Sequence, residues 1–124
     1  MQRQRSVASV TPENGLIAVG RIEDFPLGSV RRIDRRGAPP LALFHIDAGV
    51  FATEDTCTHG IASLSEGSLD GEVIECPFHG GAFNVRTGCA EAEPCAVPLR
   101  TFEVILRDGT IYVGAARPAV QGGA

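Results

Sequence analysis

Apolar and polar residues alternate along this chain over short runs, and the runs are punctuated by Gly, Pro and Asp. Period-two alternation over four to eight residues is the mark of a half-buried β-strand. It predicts strands at Leu16–Val19, Ser29–Ile33, Leu41–Ile46, Val50–Thr53, Val73–Glu75, Ala82–Asn84, Thr101–Leu106 and Thr110–Val113. Asp47-Ala48-Gly49 joins one pair as a hairpin, and Asp108-Gly109 joins another through a dipeptide that tolerates positive φ. The one helical turn to be expected, Ile22–Phe25, is stopped by Pro26. With no internal repeat, the pattern predicts an all-β fold, an antiparallel β-sandwich or small barrel. His45 alternates with Leu41 and Leu43 on one face of its strand and reads as a structural histidine.

Composition adds the scale. With 124 residues, 44% of them hydrophobic, the chain can bury one modest core. We expect a single domain over residues 14–113, a flexible N-terminus over 1–13 and a flexible, small and Gly-rich tail over 114–124. All 11 basic residues are Arg, which points to the composition of the source genome more than to function. The net charge of -4 disfavours a nucleic-acid partner, which calls for a cationic face. Arg31, Arg32, Arg35 and Arg36 form a basic cluster that reads as a solvated hairpin end. The first residues are polar, without the apolar centre of a secretory signal, and no run of eighteen apolar residues occurs, so a cytoplasmic protein with no membrane partner is expected.

Four cysteines in a reducing compartment point to metal when they sit beside histidines. Cys57-Thr58-His59-Gly60 and Cys76-Pro77-Phe78-His79-Gly80 do so, with the 16 residues from Gly60 to Glu75 between His59 and Cys76. Each motif offers one thiolate and one imidazole across a short loop gap, and the following Gly permits backbone geometry that a Cβ obstructs. Two sulfurs and two nitrogens suit a tetrahedral zinc ion. They suit equally a [2Fe–2S] cluster in which two histidines replace two cysteines at one iron.

The paired motifs CTHG and CPFHG resemble the double motif of Rieske proteins, and both copies are intact. From Phe51 to Gly88 the chain is similar to the cluster-binding half of the small bacterial Rieske ferredoxins that serve aromatic ring-hydroxylating dioxygenases. The resemblance implies a Rieske-type fold with a cluster-binding subdomain of two loops, about residues 51–96. It also implies one [2Fe–2S] cluster per chain, with Cys57 and Cys76 on one iron and His59 and His79 on the other. The implied role is that of an electron carrier, with no catalytic residues, passing single electrons from an NAD(P)H-dependent, flavin-containing ferredoxin reductase to a terminal oxygenase, as a monomer. Two other readings stay in view: a small Rieske subunit of an assimilatory nitrite reductase, and a structural zinc module.

The resemblance also sets expectations for tuning. High-potential Rieske proteins tie their two ligand loops with a disulfide, and the corresponding positions here are Ala62 and Phe78, so that bond is absent. Cys89 and Cys95 lie outside both motifs and read as reduced, packed thiols. Pro94 falls where the family has a proline-bearing loop over the cluster. Where the high-potential members place a Ser and a Tyr whose hydroxyls reach sulfur, this chain has Gly81 and Phe83, which implies a potential at the low end of the Rieske range. Glu54, Asp55, Glu66, Glu91 and Glu93 are expected to ring the tip as an acidic docking surface, with Arg86 the only base near it.

Overall fold

The computed structural model describes residues 9–11, 16–58, 62–77, 81–92 and 98–117. Its strands are β1 (Ser9–Thr11), β2 (Leu16–Arg21), β3 (Val30–Arg35), β4 (Ala38–Ile46), β5 (Gly49–Glu54), β6 (Ser68–Asp70), β7 (Val73–Glu75), β8 (Ala82–Asn84), β9 (Ala90–Ala92), β10 (Thr101–Arg107) and β11 (Thr110–Ala116). Seven form one antiparallel sheet in the order β1-β2-β11-β10-β5-β4-β3. The other four form a smaller antiparallel sheet, β6-β7-β8-β9. Two one-turn 3-10 helices, Ile22–Asp24 and Leu64–Glu66, complete the described elements.

All eight expected strands are present, and so is the turn ahead of Pro26. The Asp108-Gly109 hairpin has φ of 52° and 80° at its two central residues, the twist that suits adjoining right-twisted strands. Three strands were not expected: β1, β6 and β9, each of three residues. Such runs are too short to carry a period-two pattern, and it is the neighbouring strand that makes them extended. Two of the differences fall in the segments expected to be flexible. Residues Ser9–Thr11 pair in register with Leu16–Ala18. At the other end β11 continues to Ala116, and the Arg117 N–H donates to the Thr101 carbonyl at 2.8 Å. Backbone pairing, which small side chains do not advertise, carries the sheet past both expected limits.

Strand β4 explains how the two sheets meet. Its Leu41 and Leu43 enter a core with Phe25, Ile33, Phe102 and Ile111, while Ala42, Phe44 and Ile46 point into a second core. Both faces of β4 are therefore buried, and its apolar run is nearly continuous for that reason. The second core holds Leu64, Ile74, Phe83, Val85 and Leu99, so the small sheet is packed onto the back of β4. Each such side chain contributes about 1.5–3 kcal/mol through the water it sheds. The turn Asp47-Ala48 ahead of Gly49 joins β4 to β5 as expected. His45 is structural too: its ring stacks on Phe25 at 5.9 Å, and Nδ1 donates to the Phe25 carbonyl at 2.7 Å.

Candidate metal centre

The small sheet and the end of β5 bring two loops side by side. The first leaves β5 after Glu54 and returns through the Leu64–Glu66 turn; the second joins β7 to β8. Each is closed by the same backbone bond, from the N–H of its cysteine to a carbonyl five residues on. Cys57 donates to Ala62 at 3.0 Å, and Cys76 donates to Gly81 at 2.6 Å. Five-residue closures of this kind enclose the sequence positions of both motifs. A Thr56–Ser63 bridge reinforces the first.

The two cysteines enter one buried core. Cys57 is 2% exposed and Cys76 is 3% exposed, and both belong to the core that contains Ala62, Leu64, Ile74 and the fully buried Phe83. His59 and His79, the other two expected ligands, lie outside the described residues, as do Phe78, Glu93, Pro94 and Cys95. Among the described residues, therefore, no group of three or more ligating side chains gathers. Two buried thiols brought from separate loops into one apolar cluster fit a metal–sulfur group, because thiolates are its ligands and burial shields them from solvent. Neither thiol is in a disulfide, and Cys89, half-buried beside β9, is likewise reduced. Ala62 is buried and packs in that core, so the inter-loop disulfide expected to be missing has no cysteine at that position.

Gly67 is what lets the loops approach. A Cβ there would lie far inside van der Waals contact of the Glu75 carbonyl oxygen, in the residue that precedes Cys76. The first loop thus presses on the strand that delivers the second cysteine.

The expected acidic ring is only partly present. Glu66 and Glu91 are exposed. Asp55, by contrast, is 1% exposed and turned inward, where Ser63 Oγ and the Ser65 N–H donate to its carboxylate. Glu54 accepts the Arg100 N–H at 2.8 Å. Arg86 is engaged with Glu72 at 3.0 Å and is not the only base near the tip. A cleft of about 860 Å³ beside Thr58 is lined by Arg35, Arg100 and Arg117, with Glu54 the one acid among its described walls and Phe102 among the apolar ones. Burial lowers the Arg35 pKa, and its guanidinium stacks over Phe102 at 5.2 Å. The basic cluster of the sequence is likewise no bare hairpin end: Arg31 covers Phe25, and Arg32 pairs with Asp34. Sequence reading missed the cleft because its arginines come from β3, the approach to β10 and the end of β11, which only the sheet order brings together.

Residues 15–103 match the Rieske [2Fe-2S] domain. The chain belongs to the Rieske family. Membership carries with it one [2Fe–2S] cluster. Among curated Rieske relatives, the ferredoxin CarAc of Metapseudomonas resinovorans is 58% identical over 94 residues, 76% of this chain and 88% of its own length. The 3-phenylpropionate/cinnamic acid dioxygenase ferredoxin subunit of Photorhabdus laumondii is 44% identical over 74% of this chain and 87% of its own. A chain in the solved complex of reduced oxygenase and oxidised ferredoxin in carbazole 1,9a-dioxygenase superposes with a TM-score of 0.78 at 56% identity, covering 80% of this chain and 92% of that one. A putative nitrite reductase small subunit superposes at 0.67 with 24% identity, over 81% of this chain and 98% of that one, a likeness of fold alone.

Proposed function

We propose that this chain is the ferredoxin component of an aromatic ring-hydroxylating dioxygenase system, a carrier without catalytic residues of its own. It takes single electrons from an NAD(P)H-dependent flavoprotein reductase and passes them to the terminal oxygenase, in the cytoplasm. The observation that carries the reading is the pair of buried cysteines delivered by two closed loops, in a chain 58% identical to a ferredoxin over most of both lengths. Cys57 and Cys76 would hold one iron and His59 and His79 the other. When bound, the cluster accepts and returns one electron at a time.

The chain's residues do the rest. The Cys57–Ala62 and Cys76–Gly81 bonds close each loop at its base, beside its cysteine. Phe83, Leu64 and Ile74 exclude water from the sulfur side. The ferredoxin reading is preferred to a nitrite reductase subunit because likeness to the former extends to 58% identity, and to the latter only to fold.

Reconstitution tests it. With an NADH-dependent flavoprotein reductase and a carbazole-type oxygenase, product formation should depend on adding this chain and rise with its concentration. A stoichiometric complex with a large sirohaem subunit, together with failure to support the oxygenase, would reject the proposal.

A further inference from the structure

Asp55 stands apart from its surroundings. It is the one carboxylate among the described buried residues; the other buried polar groups are Thr53 and Thr101. Its backbone and side chain together clasp the first loop. The Asp55 N–H donates to the Pro40 carbonyl at 3.1 Å, and its own carbonyl accepts the Leu64 N–H at 2.7 Å. Its carboxylate accepts from Ser63 Oγ and, at 2.9 Å, from the Ser65 N–H. The segment so held, from Asp55 to Ser65, contains Cys57.

A carboxylate in a dry environment is costly unless it is paired, and a neutral Asn of the same shape would satisfy much of this geometry. Among the described residues Asp55 pairs with Arg32, whose Nη1 is 3.9 Å from Oδ2, but Arg32 is half exposed and also pairs with Asp34 at 3.0 Å. Its compensation is therefore shared and screened, and a net negative charge remains beside the loop. Two Cα steps of about 3.8 Å separate Asp55 from Cys57. With an effective dielectric near 20, a unit charge within about 10 Å biases a one-electron equilibrium by about tenfold or more.

We propose that Asp55 is a positioning residue that clasps the first ligand loop, and that its buried charge, tempered by Arg32, holds the reduction potential of the centre low. The inference rests on the reading of Cys57 as a cluster ligand. The test is a redox titration of the purified holoprotein, followed through the Rieske electron-resonance signal, with iron content measured alongside. Asp55→Asn should raise the midpoint by about a tenfold change in the reduction equilibrium, 59 mV for a one-electron couple. Arg32→Gln should lower it by less. Loosening of the loop alone would not give opposite signs for the two variants. Midpoints that stay put, or move in the same direction, would overturn the proposal. Should Asp55→Asn fail to accumulate, Arg32→Gln, at a half-exposed site, still decides it, since an unlowered midpoint refutes the charge argument. A wild-type protein without the Rieske signal would instead sink the ligand assignment beneath it.

Discussion

Gly67→Ala isolates the contact between the two ligand loops. Gly67 has φ of -85° and ψ of -168°, an extended conformation open to any residue, so the substitution carries no backbone strain of its own. What it meets is steric. The added Cβ overlaps the Glu75 carbonyl oxygen and lies 3.1 Å from that residue's carbonyl carbon and 3.2 Å from the Leu64 oxygen. These are backbone atoms on both sides, so the first loop must lift off β7 by about an ångström to relieve the overlap. Overpacking of this kind costs about 1–3 kcal/mol. At about 4 °C per kcal/mol, the upper end lowers Tm by about 12 °C. Gly71→Ala is the matched control: its φ is +61° and nothing lies within 4 Å of the new Cβ, so it carries only the left-handed penalty of about 1–2 kcal/mol. Thermal unfolding and iron retention after gel filtration separate the two. The Gly67 variant should shed iron, because Glu75 adjoins Cys76, and the Gly71 variant should keep it. A Gly67→Ala protein with wild-type iron content and Tm would refute the claim that this approach couples the loops.

Three further outcomes are expected. His59→Ala or His79→Ala should abolish the Rieske electron-resonance signal, read on freshly purified protein, since each iron requires two protein ligands. The wild-type midpoint should lie near the low end of the Rieske range, roughly -150 mV, and Gly81→Ser with Phe83→Tyr should raise it in a redox titration, because a hydroxyl donating to sulfur stabilises the reduced state. Charge at the tip is mixed, so Arg100→Glu with Arg117→Glu should shift the salt dependence of electron delivery in the direction opposite to Glu66→Arg with Glu91→Arg, as measured by stopped-flow over a salt series.

Much of this fold can be read from residue order, and the reasons it stops are local. Strands such as Thr101–Leu106 declare themselves by alternation, and β4 by a run that is apolar because both its faces are buried. β6 and β9 do not, because three residues cannot establish a period and the partner strand decides their conformation. At the site, the spacing of CTHG and CPFHG points to the four proposed ligands without help from tertiary structure. Asp55 could not be judged in that way. Its neighbours in sequence are those of an exposed loop acid, and it is Ser63, Ser65 and Arg32, distant along the chain, that turn it inward. The arginine cleft escaped for the same reason: Arg35, Arg100 and Arg117 are neighbours only across β3, β10 and β11.

The most direct test of an electron carrier built on Cys57, His59, Cys76 and His79 is the composition and resonance spectrum of protein purified without air. The account predicts a red-brown protein with close to two irons and two acid-labile sulfides per chain, giving a Rieske signal on one-electron reduction. Stoichiometric zinc, no labile sulfide and a colourless solution would contradict it.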